Sequence, residues 1–348
     1  MQPKKKIHVR KAMPGMVLAA DLLSDTGRII LSQETRLTEI MLRSLSAWNV
    51  TYIDIYHSDL LPENFQTEQL DDKYSDMMHI IENSFVTMRF CKELPLAEMR
   101  EMAVDSVLHM TDTVGVLPYL QSMRRTGEYT FHHSINVSIL CGVIGKWMGY
   151  KGSELEDLVL AGLLHDIGKT QVSELLINKP EKLNAEEMAE MKRHSKLGTE
   201  LIQKAGTISS NVTDAVLQHH ERMDGSGYPN GLAGRYIHPY ARIVAIADLY
   251  DAVTSDRPFQ GKASPFAAAR IIASEMFGRL DMKTATTFLE HIRDHFIGTR
   301  VCLTDGRQAE VILLGNDFTF KPIIRTEAGE FLDTRCNPEI QIREVTLV

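Results

Sequence analysis

The residues best suited to chemistry lie at positions 219–229, where two adjacent histidines precede a glycine-rich turn. Neighbouring side chains on a helix point about 100° apart, so His219 and His220 can reach one ion only at a helix end. The glycines of the turn, Gly225 and Gly227, would allow positive φ angles and leave N–H groups to face a phosphate. They are therefore candidate substrate contacts, although a surface helix followed by a β-turn is the simpler interpretation of the turn alone.

Other histidines and aspartates interrupt apolar helical patterns. His165 and Asp166 directly follow the apolar run 155–164, and a buried aspartate there is costly unless it is paired or bound to a metal. A structural ion pair would explain an isolated His-Asp pair equally well. The pair is not isolated, because His133, His194 and Asp248 also lie on predicted helices or helix ends, and facing helices of a bundle converge on its core.

The elements that must position these residues are helices. Met77, Ile81, Phe85 and Met88 form one apolar helical face. The same periodicity continues at 135–147, 155–164, 184–194, 197–202, 212–219, 241–253 and 266–276. Asn184, with a glutamate three residues later, predicts a capping box that begins one helix before His194. The main domain is therefore predicted to be all-α.

Both ends of the chain have short β-type patterns. A hairpin is predicted around Asp25-Thr26-Gly27, followed by a helix after Thr38 and a strand at 51–55. Residues 58–73 look like a linker, and short β runs resume after Gly298. We therefore predict an N-terminal β/α module for docking or dimerisation (1–60), a linker and connecting helix (61–110), a helical catalytic domain (111–297) and a β appendage (298–348).

Composition excludes several classes of function. The chain has 348 residues, 44% of them hydrophobic, and a formal net charge of −8, which argues against binding to a nucleic-acid polymer. The run Lys4-Lys5-Lys6 reads as a solvated end. No apolar run is long enough to cross a bilayer and no signal peptide is apparent, so a cytoplasmic location without membrane attachment is expected. Four scattered cysteines favour neither a zinc-thiolate site nor a disulfide framework.

Together, these histidines, aspartates and the glycine-rich turn resemble the motifs of a known family. His133, His165-Asp166 and Asp248 resemble the H…HD…D ligand set of the HD-domain phosphohydrolases. His194, the His219-His220 pair and the turn Gly225-Ser226-Gly227-Tyr228-Pro229 resemble the HD-GYP subfamily, which are bacterial phosphodiesterases for cyclic di-GMP. The resemblance covers about 129–295. It implies an HD-type helical bundle and a signalling enzyme that hydrolyses cyclic di-GMP mainly to linear pGpG.

The resemblance also implies two divalent metal ions that share Asp166. One would be held by His133, His165, Asp166 and Asp248, and the other by Asp166, His194, His219 and His220. Imidazoles and carboxylates without thiolates suit iron or manganese. Asp166 and Lys169 are the expected catalytic residues. Lys169, Tyr228 and Arg257 are expected to hold the substrate, although Phe259 and Gln260 stand where the family usually has a tyrosine and a basic residue.

A third metal is disfavoured. Family members with three ions have a glutamate four residues before the first histidine, which would be Glu128 if His132 were the ligand. The pattern Tyr-Thr-x-x-His-Ser instead matches Tyr129 and His133. Tyrosine is a poor ligand near neutral pH because its ordinary pKa is about 10. The resemblance implies that members with two ions tend to stop at linear pGpG, so pGpG is the expected main product and GMP would form only by onward cleavage.

Two other functions remain open. A phosphohydrolase acting on mononucleotides would need only the H…HD…D set and leaves the His219-His220 pair unexplained. A non-catalytic cyclic-dinucleotide sensor would be expected to lose metal ligands, whereas this chain keeps all of them. The enzyme is therefore favoured, with a homodimer contact or a signalling partner expected through the N-terminal module.

Overall fold

Helices between residues 63 and 296 carry the predicted ligands, and small β-structures precede and follow them. The structure is a computed structural model. It describes residues 4–9, 12, 16–23, 29–35, 37, 41–42, 45, 50, 52–56, 63–91, 93–113, 116–122, 129–255, 263–315 and 317–346. The predicted mainly-α architecture with β-structure at both ends is confirmed.

The helices follow one another with short connections. Their bounds are α1 (Glu63–Cys91), α2 (Leu96–Met102), a π-helical turn (Ala103–Val107), α3 (Leu108–Thr111), α4 (Val116–Ser122), α5 (Tyr129–Trp147), α6 (Ser153–Leu164), a 3₁₀ turn (Ile167–Gln171), α7 (Glu174–Ile177), α8 (Ala185–Met191), α9 (His194–Ala205), α10 (Ser210–Gln218), a 3₁₀ turn (Gly234–Tyr236), α11 (Pro239–Thr254), α12 (Pro265–Glu275) and α13 (Met282–Phe296).

Helix α5 lies at the centre of the bundle. Its residues from Phe131 to Gly145 are all buried, as expected of a helix that is apolar on every side. The predicted capping box at the start of α8 is confirmed, because Asn184 accepts from the Glu187 N–H and the Glu187 carboxylate accepts from the Asn184 N–H, both at 2.9 Å. At its other end α8 stops at Met191, and His194 is the first residue of a separate helix, α9.

The linker prediction for 58–73 is wrong from residue 63 onward, where the chain is already helical. Leu70, Tyr74 and Met77 are spaced four and three residues apart and are all buried, so they extend the apolar face of α1 toward its N-terminus. Burial against the bundle stabilises this polar stretch as a helix. Residues 58–62 lie outside the described part of the chain.

The N-terminal module contains the predicted hairpin, with β2 (Leu22–Leu23) antiparallel to β3 (Ile29–Leu31). The lysine run belongs to β1 (Lys4–His8), which pairs with the predicted strand β4 (Tyr52–Tyr56), and the side chain of Lys6 is exposed to solvent. Of the helix predicted after Thr38, the structure describes Met41, Leu42 and Leu45 as helical. The module buries its own apolar cluster, which includes Leu18.

The C-terminal appendage is one antiparallel sheet in the order β8-β7-β6-β5-β9. Its strands are β5 (Arg300–Leu303), β6 (Gln308–Leu313), β7 (Ile323–Thr326), β8 (Phe331–Asp333) and β9 (Ile342–Thr346). Buried side chains such as Val301 and Ile324 join the same core as the helices. Among the described residues, no helix is both long and apolar enough to cross a membrane.

Candidate metal centre

Five helices and the turns that follow them bring the predicted ligands together. His133 lies within α5 and Asp248 within α11, whereas the other ligands stand at helix ends. His165 and Asp166 follow the last residue of α6, and His194 begins α9. His219 and His220 follow the end of α10, which is where adjacent histidines can converge.

The ligands form two adjacent groups. We call His133, His165 and Asp248 the first half, and His194, His219 and His220 the second half. Within the first half, one ligand atom from each residue lies within 4.8 Å of the others, and the same holds for the second half together with Asp166. Each group thus has the size and donor types of a metal site.

Asp166 lies between the two halves. Its Oδ2 is 3.4 Å from His165 Nε2 and 3.7 Å from His133 Nε2, while its Oδ1 is 3.4 Å from His194 Nε2. The two oxygens therefore face different halves, as the oxygens of a bridging carboxylate would. Gly168 permits this approach, because a Cβ there would lie 1.9 Å from the His194 carbonyl oxygen.

Three of the histidines are oriented in the same way, by donating Nδ1–H to the carbonyl oxygen three residues earlier. The pairs are His165 to Gly162 at 2.8 Å, His194 to Met191 at 2.8 Å, and His219 to Val216 at 2.7 Å. A carbonyl only accepts hydrogen bonds, so each neutral ring carries its lone pair on Nε2. This is the tautomer that binds a metal through Nε2.

These lone pairs face other acceptors. His194 Nε2 lies 3.2 Å from His219 Nε2, and neither nitrogen carries a proton in the tautomer just described. His165 Nε2 also faces the carboxylate of Asp166. Such contacts repel unless a positive charge lies between them, so the donor set fits divalent cations in both halves.

In the first half, a carboxylate orients His133 in place of a carbonyl. His133 Nδ1 lies 2.7 Å from Asp251 Oδ2, and Asp251 Oδ1 accepts from Asn136 Nδ2 at 2.7 Å. Asn136 Oδ1 in turn accepts from the Tyr74 hydroxyl of α1 at 2.9 Å. Neither Asn136 nor Asp251 is among the site residues predicted from the sequence. Each stands three residues after a predicted ligand on the same helix, and this spacing was the available signal.

The protonation states agree with this picture. Burial raises the pKa of Asp166, but contacts in the cluster, chiefly the positive charge of Lys169, outweigh it and hold the pKa well below its usual range. Burial lowers the pKa of His194, and lowers the pKa values of His219 and His220 much further. At neutral pH the carboxylate is thus ionised and these three imidazoles are neutral, which are the forms that bind metals.

His133 behaves differently from the second half. Burial lowers its pKa, but hydrogen bonds to Asp248 and Asp251, together with their charges, raise it to about 9. In the ion-free protein, His133 therefore holds a second proton at neutral pH. Its Nε2 points at Asp248 Oδ1 at 3.1 Å, so this proton occupies the position that a cation would take.

Comparison with known proteins identifies the family. A family profile described as "HD domain" matches residues 102–284, which is more than half of the chain. The chain belongs to the HD-domain family. The predicted membership of the HD superfamily is thus confirmed.

Relatives of this HD domain include characterised enzymes. The chain is 36% identical over 193 residues to the cyclic di-GMP phosphodiesterase PA4108 of Pseudomonas aeruginosa, covering 56% of this chain and 46% of that protein. It is 37% identical over 170 residues to the 3′3′-cGAMP-specific phosphodiesterase 1 of Vibrio cholerae, covering 49% and 39% respectively. The chain thus spans less than half the length of either relative.

A solved structure shares the fold. The HDG"Y"P protein Bd1817 of Bdellovibrio bacteriovorus aligns with a TM-score of 0.55 at 17% sequence identity, covering 83% of this chain and 99% of that one. At this identity the similarity shows the fold alone, and it confirms the predicted HD-type helical bundle.

The metal centre of the HD domain opens toward solvent on one side. The side chains of Lys169, His220 and Asp248 are 23%, 19% and 14% exposed, whereas those of His133 and Asp166 are each 2% exposed. Lys169 Nζ lies 2.5 Å from Asp166 Oδ2. Lys169 is therefore a cation between the deepest carboxylate and the opening.

Tyr228 stands at the same opening. Its ring stacks on His220 with 4.6 Å between centroids, and Lys192 Nζ lies 5.1 Å from the centroid of the tyrosine ring. Lys192 is not among the residues predicted from the sequence, because no motif near it in the chain connects it with residue 228. The structure thus places an aromatic ring and two lysines beside the cluster.

The glycine-rich turn of the HD domain differs from the predicted phosphate cradle. Gly225 has a φ of 80°, but its N–H donates to the Arg222 carbonyl at 2.8 Å. Gly227 lacks the predicted positive φ. It is needed for close packing, since a Cβ there would lie 2.4 Å from Glu221 Cα. A phosphate contact through either glycine stays a prediction.

The two candidate first histidines point in different directions. His133 enters the cluster, whereas His132 Nδ1 lies 3.0 Å from the Tyr74 hydroxyl and its ring stacks on that tyrosine. Tyr129, four residues before His133, stacks on it with 5.2 Å between centroids. Glu128, Arg257, Phe259 and Gln260 lie outside the described residues.

Proposed function

We propose that this HD domain is a metal-dependent phosphodiesterase that hydrolyses cyclic di-GMP mainly to linear pGpG. The observation that carries the proposal is the division of the Asp166 oxygens between two groups of ligands. Relatives named as phosphodiesterases for cyclic di-GMP and 3′3′-cGAMP support the same substrate class. Because those proteins are longer, the substrate is proposed for this chain on its own site.

The proposed cofactors are two divalent ions, iron or manganese. His133, His165, Asp166 and Asp248 would hold one, and Asp166, His194, His219 and His220 the other. When bound, such ions act as Lewis acids on a phosphodiester and lower the pKa of a water molecule. Asp166 directs one oxygen toward each half of the cluster. Lys169 adds positive charge where a phosphate would enter.

The proposed substrate contacts lie around the opening. Lys169 and Tyr228 are both partly exposed, which supports their assignment as contacts to a phosphodiester. Gly225, Gly227 and Arg257 complete the proposed set. Arg257 would bind a phosphate through a charge-assisted hydrogen bond.

The product follows from the residue one helical turn before His133. Tyr129 occupies that position, with its ring against His133, where a carboxylate would be needed for a third ion. A phenol is a poor ligand near neutral pH. We therefore propose two ions, with hydrolysis that stops mainly at pGpG.

The other parts of the chain are proposed to regulate or support this activity. Residues 1–60 bury their own apolar cluster, against which Ile297 packs, and this supports a separate docking module. We assign 61–110 to the connecting helices, 111–297 to catalysis and 298–348 to the appendage. A homodimer contact or a signalling partner would use the N-terminal module.

The test is a product assay on the full chain loaded with Mn²⁺, or with Fe²⁺ under anaerobic conditions. Cyclic di-GMP, 3′3′-cGAMP and a panel of mononucleotides are supplied separately, and the products are separated by chromatography. We expect cyclic di-GMP to be converted to pGpG, with GMP appearing more slowly.

Two outcomes would contradict the proposal. Faster cleavage of mononucleotides than of cyclic dinucleotides would support the mononucleotide phosphohydrolase. Tight binding of cyclic di-GMP without cleavage by the metal-loaded protein would support the sensor.

A further inference from the structure

Glu221 follows the histidine pair but lies outside both halves of the cluster. It is only 3% exposed. Its Oε1 accepts from the Asn230 N–H at 2.7 Å, and its Oε2 accepts from the Leu232 N–H at 2.9 Å. A buried carboxylate is costly unless both oxygens are paired in this way, so the two hydrogen bonds are specific features of the fold.

These hydrogen bonds close a loop. Residues 222–232 leave Glu221 and return to it, with Tyr228 inside the loop. The Tyr228 N–H donates to the His220 carbonyl at 3.2 Å. This hydrogen bond joins the loop to the backbone of His220 at Tyr228, whose ring stacks on the His220 ring.

His219, the ligand at the end of α10, has a support outside the loop. His219 follows the last turn of α10, and its Nδ1 is held by the Val216 carbonyl of that helix. Tyr228 lies on no helix or strand, so its position depends on the loop. Loosening the loop should therefore release Tyr228 before it disturbs His219.

We propose that Glu221 is a positioning residue that holds Tyr228 over His220 at the opening of the site, so that a cyclic dinucleotide meets a preformed aromatic face. The inference rests on the proposed function for the identity of the substrate. The clamp itself can be tested without that substrate.

The kinetic test uses Glu221→Gln, which keeps the size of the side chain but turns an NH₂ group toward one backbone N–H. Loss of one such hydrogen bond corresponds to roughly a 5- to 10-fold increase in KM for cyclic di-GMP. We expect kcat and metal content to stay close to those of the unmodified protein. Glu187→Gln is the matched control, because Glu187 also accepts from a backbone N–H, that of Asn184 in the α8 capping box.

A double-mutant cycle shows whether Glu221 acts through the tyrosine. If it does, Glu221→Gln should cause no further rise in KM when Tyr228 has already been changed by Tyr228→Ala. A full additional rise in the double variant would overturn the proposal. So would a large loss of metal in Glu221→Gln, since Glu221 would then support the ligands.

Amide hydrogen exchange tests the clamp independently of activity. Exchange at 224–232 should be faster in Glu221→Gln than in Glu187→Gln, with α10 unchanged in both. If the unmodified protein cleaves no cyclic dinucleotide, the proposed function fails while this comparison still decides on the clamp. Glu221→Asp, which is one methylene too short to reach both N–H groups, serves if Glu221→Gln does not fold. Failure of both variants to fold would make Glu221 a folding residue and overturn the positioning role.

Discussion

In the second half of the metal centre, His194 and His219 are held by backbone carbonyls, whereas in the first half His133 is held by the carboxylate of Asp251. A carbonyl orients the ring without adding a formal charge. A carboxylate orients it and also makes it more basic. The pKa values follow this difference, since that of His133 is raised to about 9 while those of His194 and His219 are lowered by burial.

In the proposed two-ion site, the two halves would therefore bind their ions under different control. In the second half, the orientation of His194 and His219 depends on backbone carbonyls near helix ends. A side-chain substitution at the residue that supplies the carbonyl leaves the carbonyl in place. In the first half, His165 is likewise held by a carbonyl, but His133 depends on a side-chain relay from Tyr74 through Asn136 and Asp251. Mutation and pH should therefore act mainly on the first half.

The largest effect is expected where the halves meet. Asp166→Asn should lower the metal-dependent hydrolysis rate by more than about 100-fold, above the range seen when only a supporting partner is lost. Both ions should bind more weakly, because both halves use this carboxylate. Metal content by mass spectrometry and the hydrolysis rate are the measurements. Asp157→Asn, also on the α6 segment but partly exposed, is the control.

Loss of a single ion from Asp166→Asn, with the other retained at full affinity, would show that Asp166 belongs to one half only. The two halves would then share no ligand.

The second effect should be confined to the first half. Asp251→Asn keeps the shape of the side chain but removes its charge, and loss of such a partner lowers metal affinity or activity by about 10- to 100-fold. At limiting metal the variant should retain one ion per chain. Titration with Mn²⁺ followed by equilibrium dialysis measures the number of ions bound and their affinities. An equal loss of affinity for both ions would contradict the separate control of the two halves.

Acid should also act on the first half. Below about pH 9 the ion-free protein carries a proton on His133 that an incoming ion must displace. Affinity for one of the two ions should therefore rise about tenfold per pH unit up to that pKa and become constant above it. The second half binds few protons in this range, because its pKa values are lowered.

Competition with a fluorescent chelator between pH 7 and pH 10 measures this dependence. In Asp251→Asn the plateau should begin at lower pH, since a charge that raises the pKa of His133 is gone. A plateau that does not move would argue against the role of Asp251.

The smallest effect on metal binding is expected from His132. His132→Ala removes a buried ring packed on Tyr74 and should lower the free energy of unfolding by about 2 kcal/mol. Metal content should stay the same, whereas His133→Ala should lose an ion. Urea unfolding and metal analysis of the two variants test the assignment, and loss of metal from His132→Ala would reverse it.

Much of the helical framework could be predicted from local patterns. Apolar periodicity marked α5, α6, α10 and α11, and the Asn184 capping box marked the start of α8. These features depend on neighbours within about one helical turn, so the sequence displays them directly. The start of α1 was missed because a polar stretch becomes helical there only through burial of Leu70 and Tyr74.

The sequence by itself determined which residues could bind metals, because histidines and aspartates within apolar helices have few other stable arrangements. Only the tertiary structure decided how those residues are supported. Asp251 meets His133 across 118 positions of the chain, and the turn after the histidine pair is held by Glu221 where a free phosphate cradle was predicted. Such contacts depend on the relative placement of separate helices and loops. The three-residue spacing from Asp248 puts Asp251 on the ligand face of α11, but it does not show that His133 of α5 packs against that face.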